Sequence, residues 1–161
     1  MSQELFLGFL EKDSLFLNNK YSVFPFVILA LLLGGLSSSD TASDLWYLEL
    51  NKSSLNPPGY VFGIVWPILY ILMSISAFRT YAETKNLFLI QLFFNAIWSW
   101  LFFAFHMPLI ALLNIWFLIA LNIRLTIDMF KLDRISGILF IPYAIWLLFA
   151  SYLNLFIVIN N

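Results

Sequence analysis

Long apolar runs alternate with short polar breaks along the chain, and five of the runs are long enough to cross a membrane. A helix needs about 20 mainly apolar residues to span the hydrocarbon layer. The pattern predicts an all-α membrane bundle of five transmembrane helices, at Tyr21–Ser38, Pro57–Arg79, Leu87–Phe105, Pro108–Asp128 and Ile135–Ile159. We expect residues 1–20 to form an N-terminal tail and residues 21–161 to form the transmembrane domain.

Composition indicates that the solvent of this chain is lipid. Of its 161 residues, 62% are hydrophobic and 11% are charged, and the mean hydropathy is +0.91, which is far from the values of soluble domains. The net charge of −1 gives no reason to expect a nucleic-acid partner. The absence of cysteine excludes disulfides, thiolate metal sites and thiol catalysis.

The single histidine, His106, falls in a predicted tight turn between the third and fourth spans. One histidine cannot build a metal cluster, so we expect no metal site. The sequence also offers it no triad-like neighbours, so no nucleophile and base pair is predicted and conventional hydrolase chemistry is not expected.

Basic residues are distributed unevenly between the two sides of the predicted bundle. If the five helices alternate, the side with the N-terminus holds Lys12, Lys20, Arg79, Lys85, Arg124, Lys131 and Arg134. The opposite side holds Lys52 alone. The positive-inside rule therefore places the N-terminus in the cytoplasm and the C-terminus outside, assuming a bacterial inner membrane.

The connection after the first span, "SSSDTASDLWYLELNKSSLN", is acidic and carries Trp46 and Tyr47. No other predicted connection is long enough to fold over the bundle as a lid. A plain loop at the membrane interface accounts for the same residues, and both interpretations stay open.

The second span opens on "NPPGYVFGIVWPILY". Asn56 is a good N-cap residue, and Pro57 at the first helical position gives up an N–H that has no partner there. Pro67 lies inside the helix and removes a donor to the Gly63 carbonyl, so we expect a bend near Trp66. Such a bend fits a pocket wall, although prolines in membrane helices also tune packing alone.

Helical spacing places large rings, together with two amides and an alanine, on three helix faces. The faces are Phe62, Trp66 and Tyr70 on the second span, Gln91, Asn95, Trp98 and Phe102 on the third, and Tyr143, Trp146 and Ala150 on the fifth. Amides at membrane depth must point into the bundle, either to join helices or to bind a ligand. Taken together, the faces predict a pocket for a large, flat, mainly apolar molecule, with helix packing as the alternative.

Four stretches resemble the signature sequences of the TspO/MBR family, the translocator protein or tryptophan-rich sensory protein family. They are "WYLEL", "NPPGYVFGIVWPILYILM", "QLFFNAIWSWLFF" and "IPYAIWLLFASYLN". The likeness runs over about residues 21–160. It implies a five-helix homodimer that needs no cofactor and binds tetrapyrroles such as protoporphyrin IX, and in some members sterols.

Matched motif by motif, the resemblance implies a ligand pocket covered by the loop around Trp46. The implied pocket residues are Trp46, Tyr47, Pro57, Phe62, Trp66, Asn95, Trp98, Tyr143, Trp146 and Ala150. This chain departs from the family at Ser53, where proline is usual, and at Tyr60, where tryptophan is common. No basic residue follows Tyr152, so the sterol-recognition pattern of some members is incomplete.

Three functions are compatible with the sequence. The first is porphyrin binding for transport or stress sensing. The second is light- and oxygen-dependent porphyrin degradation, which needs only oxidisable indoles, and Trp66 and Trp146 are its candidates. The third is a structural protein whose rings pack helices without a ligand. For the homodimer, Ala30 and Gly34 form a small-xxx-small pair that allows a second helix to approach closely.

The distribution of basic residues leads to a direct test of orientation. A periplasm-dependent reporter enzyme fused at Asn161 should be active, because the seven basic residues hold the other side of the bundle in the cytoplasm. The measurement is reporter activity in intact cells, beside the same fusion to a cytoplasm-dependent reporter. Activity of the cytoplasm-dependent reporter at Asn161 would reverse the assignment.

Overall fold

The structure is a computed structural model that describes residues 18–39 and 41–161. A 3-10 turn at Lys20–Ser22 leads into α1 (Val23–Ser37), and a short helix α2 (Leu45–Glu49) follows in the loop. The remaining helices are α3 (Gly59–Arg79), α4 (Tyr81–Ser99) with a π-helical end at Trp100–Ala104, α5 (Pro108–Leu132) and α6 (Arg134–Asn160). Most of the predicted tail, residues 1–17, lies outside the described residues.

The prediction of an all-α bundle with five membrane-spanning helices is confirmed. Five helices of the described chain have the length and hydropathy to cross a membrane, at Lys20–Ser37, Gly59–Arg79, Tyr81–Ala104, Pro108–Leu132 and Arg134–Asn160. Their outward faces are apolar: Ile64, Ile68, Ile71 and Ile75 recur along α3 and are 41% to 60% exposed. Such a surface is stable only in lipid.

The second span begins later than predicted, and the assignment of Asn56 as its N-cap was wrong. α3 begins at Gly59, and Pro58 stands at the cap position with extended backbone, φ −57° and ψ 147°. The side chain of Asn56 instead donates to the carbonyl of Pro57 at 3.3 Å. The cause is the double proline, because a residue that precedes proline is pushed out of the helical region. Pro57 therefore cannot be the first helical residue.

The third and fourth spans extend further than their apolar runs predicted. α4 begins at Tyr81, six residues before Leu87, and α5 ends at Leu132 instead of Asp128. The extra turn of α4 is polar, but its Thr84 hydroxyl donates to the Thr80 carbonyl at 2.9 Å. An apolar run therefore marks the hydrocarbon crossing, whereas the helix continues into the interface.

The helices pack in a ring in which α1 lies between α3 and α4, and α5 lies between α4 and α6. α6 closes the ring against α3. Ala30 is 5% exposed, and a Cβ on Gly34 would lie 3.5 Å from the Ser99 Oγ of α4. The small-xxx-small pair therefore serves contact within the chain.

The basic end of the bundle is joined by polar contacts around Asp133, which lies between α5 and α6. Its carboxylate accepts from Arg79 Nε at 2.6 Å and from the Ser136 backbone N–H at 3.1 Å, so it pairs with α3 and caps α6. The hydrogen bond from Arg79 holds the pKa of Asp133 well below its ordinary value, and that from the Ser136 hydroxyl lowers it further. This stabilisation is present above the ordinary aspartate pKa and is lost as the pH falls toward the lowered value.

The ring of Phe130 on α5 packs directly against Gly137 on α6. A Cβ built on Gly137 would lie 2.3 Å from Phe130 Cγ, so the ring of Phe130 occupies the space that any other residue needs. Glycine at this position is thus a requirement of packing, despite its low helix propensity.

We expect Gly137→Ala to lower the free energy of unfolding by about 1 to 3 kcal/mol, the usual cost of overpacking a core. Gly35→Ala is the matched control, because nothing lies within 4 Å of a Cβ there. Alanine at that exposed position should leave stability unchanged or raise it, by up to about 1 kcal/mol. Thermal unfolding in one mild detergent measures both, and equal melting temperatures for the two variants would contradict the packing argument.

Candidate functional site

Large rings from α3 and α6 meet in the half of the bundle nearer the loop. The rings of Trp66 and Trp146 lie 6.4 Å apart at 82°, and those of Phe62 and Trp146 lie 5.8 Å apart at 73°. These edge-to-face arrangements are favourable for aromatic pairs. The structure therefore brings together the second-span and fifth-span faces that the spacing had selected.

A chain of hydrogen bonds joins the three helices behind these rings. The Tyr70 hydroxyl donates to Asn95 Oδ1 at 2.5 Å, and Asn95 Nδ2 donates to the Tyr143 hydroxyl at 2.8 Å. The Tyr143 hydroxyl in turn donates to Gln91 Oε1 at 3.0 Å. All four side chains are at most 4% exposed. The amides point inward as predicted, and their tyrosine partners show that they join helices.

The indole of Trp146 is the exception to this pairing of polar atoms. Its Nε1 is buried and has no hydrogen-bond partner among the described residues. An unsatisfied buried donor costs about 1 to 3 kcal/mol. The Trp146 N–H is thus a buried donor that an acceptor atom of a ligand could satisfy.

Trp98 lies between the α3–α6 rings and the loop. Its Nε1 donates to Asn154 Oδ1 at 3.3 Å, and Asn154 Nδ2 donates to the Pro108 carbonyl at 2.8 Å. Asn154 was not selected from the sequence. The sequence did contain a signal for it, because Asn154 lies four residues after Ala150 on the same face of α6 and is a polar residue in an apolar span.

The end of α4 is π-helical, which the sequence did not predict. The Phe105 N–H bonds to the Trp100 carbonyl at 2.9 Å, five residues back. Such a wider turn changes the direction of the side chains within it. Phe102 stacks on Trp98 at 5.5 Å, and Phe103 lies 5.7 Å from the ring of Tyr47 in the loop.

The loop helix α2 lies against this end of the bundle. Trp46 and Tyr47 are half-buried, and the Trp46 ring lies 5.8 Å from the ring of Phe102. Burial raises the pKa of the Tyr47 phenol. Of the two interpretations of the loop, the structure favours the one in which it covers the bundle. Its rings contact the π-helical end of α4, and Trp98 packs against both this cluster and the main core that includes the rings of α3 and α6.

The contact of the loop with His106 corrects the expectation that this histidine has no triad-like neighbour. His106 Nε2 lies 2.9 Å from Asp44 Oδ2, and its ring stacks on Trp46 at 4.2 Å and 14°. Asp44 also caps α2 by accepting from the Trp46 N–H at 3.0 Å. His106 lies in the predicted tight turn, with φ of 53°. The pair fastens the loop to the α4–α5 turn.

The far end of the loop is fastened to the C-terminal end of α6. The Asn51 N–H donates to Asn161 Oδ1 at 2.8 Å, and the Ser53 and Tyr152 hydroxyls lie 3.0 Å apart. Pro57 is half-buried in the segment that precedes α3, where its carbonyl accepts from the Asn56 side chain. Pro57 therefore borders the loop, two residues outside the helix that carries Phe62.

The fold and the ring faces define a class of protein: a five-helix integral membrane bundle with an aromatic interior and a covering loop. The sequence matches the TspO/MBR family over residues 23–159, and the chain belongs to that family. It is 36% identical over 119 residues to the tryptophan-rich sensory protein of Cereibacter sphaeroides, over 69% of this chain and 73% of the relative.

Two further relatives extend the comparison. The tryptophan-rich protein TspO of Archaeoglobus fulgidus is 35% identical over 146 residues, which are 84% of this chain and 94% of that protein. The human translocator protein is 28% identical over 119 residues, 68% of this chain and 70% of that protein. The similarity to bacterial, archaeal and human members covers most of each chain.

The hydrogen-bond chain predicts that Tyr143→Phe destabilises the bundle by about 0.6 to 1.7 kcal/mol, the average and the maximum found for interhelical hydrogen bonds in a membrane protein. The lost hydroxyl is the partner of both Asn95 and Gln91. Tyr60→Phe is the control, because Tyr60 is 71% exposed. Unfolding in detergent measures both variants, and a Tyr143→Phe protein as stable as Tyr60→Phe would refute the role of the hydroxyl.

Proposed function

We propose that this protein binds a porphyrin, a flat tetrapyrrole such as protoporphyrin IX, between the ring faces of α3 and α6 and beneath the α2 loop. The bound state would serve transport or stress sensing. The observation that carries the proposal is the pair of Trp66 and Trp146, two indoles in edge-to-face contact, of which Trp146 has an unpartnered buried N–H.

The chemistry of these residues suits a large flat ring better than a polar solute. Phe62, Trp66 and Trp146 offer aromatic faces, and stacking contributes about 0.5 to 1.5 kcal/mol per pair beyond area burial. Asn95 is already bonded to Tyr70 and Tyr143, so it supports the wall instead of serving as a free polar hook. The Trp146 N–H is then the polar group that orients the ligand.

Entry of a porphyrin requires the rings and the loop to separate. Trp66 and Trp146 contact each other directly in the structure. Two clefts found in the structure lie elsewhere, one of them between α1 and α4 near Leu33 and Phe105. The loop is held by the contact of Asp44 with His106 and by the rings of Trp46 and Tyr47. Opening of the loop for ligand entry would break these contacts.

Light- and oxygen-dependent porphyrin degradation is the second candidate function. The close pair of Trp66 and Trp146 favours it, because oxidisable indoles would lie against the excited ring. Such chemistry needs no acid, base or metal from the protein.

The third candidate, a bundle whose rings only pack helices, is favoured by the mutual hydrogen bonds of Gln91, Asn95 and Tyr143.

The orientation and assembly belong to the same proposal. The N-terminus lies in the cytoplasm and the loop and C-terminus outside, in a bacterial inner membrane, supported by the distribution of basic residues. The protein works as a homodimer through a face other than that of Ala30 and Gly34, which contacts α4.

Titration of the detergent-purified protein with protoporphyrin IX in the dark tests the proposal, with tryptophan quenching as the signal. Wild type should saturate. Trp66→Phe and Trp146→Phe should weaken binding about two- to tenfold, because phenylalanine keeps part of the stacking. Trp116→Phe is the control: Trp116 is 48% exposed, lies on α5 away from the α3–α6 rings and donates to the buried Ser151 hydroxyl, so its replacement should leave affinity unchanged.

The same samples under light, with and without oxygen, separate the candidate functions. Loss of the porphyrin absorbance bands faster than for free porphyrin, abolished by Trp66→Phe or Trp146→Phe, would favour the enzyme. Saturable dark binding without accelerated loss supports binding alone. Linear, unsaturable quenching that is equal in all four proteins would show that the rings only pack helices.

A further inference from the structure

We propose that the cleft at the basic end of the bundle binds the headgroup of a phospholipid that carries a primary ammonium, with Lys20 and Arg79 on its phosphate and Glu83 on its ammonium. The cleft has a volume of about 790 Å³ and is lined by Asn18, Asn19, Lys20, Phe78, Arg79, Tyr81, Ala82, Glu83 and Asp133. That volume is within the range of small-ligand sites. The proposal is independent of porphyrin binding.

The two cations among the described lining residues, Lys20 and Arg79, are held in place but keep donors for a phosphate. Lys20 Nζ lies 4.6 Å from the ring centroid of Phe78, a cation–π contact that uses the charge and not the N–H groups. Arg79 bonds Asp133 through Nε. Its two terminal nitrogens bond no other described residue and can make the paired contacts that guanidinium forms with phosphate oxygens.

The two acids of the cleft differ in what they already bind. Asp133 accepts from Arg79 and from both the backbone and the hydroxyl of Ser136, so it serves the fold. Glu83 lies in the first turn of α4 and lines the cleft without a part in that cluster. A lining with both signs of charge fits a zwitterionic headgroup better than a purely anionic one. An ammonium with N–H groups can donate to Glu83, whereas a choline cannot.

An apolar surface continues from the cleft toward the membrane interior. The ring of Phe78 lies 5.4 Å from that of Tyr21 and 5.6 Å from that of Phe24. Tyr21 is 61% exposed and Phe24 is 39% exposed. Rings at this depth are typical of the membrane interface. A lipid whose headgroup enters the cleft can therefore lay an acyl chain along these rings, which a soluble phosphate cannot do.

Native mass spectrometry of the full-length, delipidated protein in neutral detergent tests the site. Phosphatidylethanolamine, phosphatidylglycerol and phosphatidylcholine with identical acyl chains compete pairwise, and inorganic phosphate and phosphoethanolamine are tested as soluble competitors. Wild type should prefer phosphatidylethanolamine over the other two lipids by about tenfold, the change expected from one charge-assisted hydrogen bond. Neither soluble competitor should displace it at an equal concentration.

Single substitutions assign the roles. Lys20→Gln should weaken all three lipids by about tenfold, and Lys20→Arg should restore them. Glu83→Gln should weaken phosphatidylethanolamine alone and leave phosphatidylglycerol unchanged or tighter. Lys131→Gln and Glu49→Gln are matched controls, because both residues are exposed and lie outside the cleft.

Three results would overturn the proposal. Equal binding of the three lipids would remove the selective headgroup site. An equal loss in Lys20→Gln and Lys131→Gln would show diffuse attraction of lipids to the basic side. Displacement of the lipid by inorganic phosphate at an equal concentration would make the cleft a site for free phosphate.

Discussion

The hydroxyl of Tyr143 is buried in the middle of the bundle, where it accepts a hydrogen bond from Asn95 and donates one to Gln91. This pair of hydrogen bonds constrains the packing of the helices around it. Nothing in a hydrocarbon layer can replace those partners. Tyr70 extends the chain to α3, so the rotation of three helices is fixed by one polar network. The ring faces that meet in front of it owe their alignment to that rotation.

The two ends of the bundle differ in the interactions that hold them together. At the end with the loop, rings dominate: Trp98 joins the rings of α3 and α6 to Phe102, on which Trp46 rests. The Asp44–His106 contact and the hydrogen bonds of Asn51 and Ser53 hold the two ends of this loop, so the loop must release them to open. At the opposite end, Arg79 and Asp133 tie α3 to α6 through charge, and the cleft beside them is polar. The aromatic end suits a flat apolar ligand, and the charged end suits the membrane surface.

Periodicity sufficed to predict the number of spans, the fold class and the inward direction of the amides, because burial in lipid imposes one regular pattern on every helix. It failed where the outcome depends on local backbone chemistry or on distant partners. The start of α3 depends on the prolines after Asn56, and the π-helical end of α4 leaves no pattern of spacing. The contact of Asp44 with His106 joins residues 62 apart in sequence. Asn154 could have been predicted by extending the inward face of α6 four residues beyond Ala150.

An experimental structure of the protein saturated with protoporphyrin IX is the sharpest test of a tetrapyrrole site between Trp66 and Trp146 under the loop. We expect porphyrin density between these two indoles, a ligand atom accepting from Trp146 Nε1, and α2 displaced or closed over the ring. Density on the lipid-facing surface alone, with Trp66 and Trp146 still in mutual contact, would contradict it.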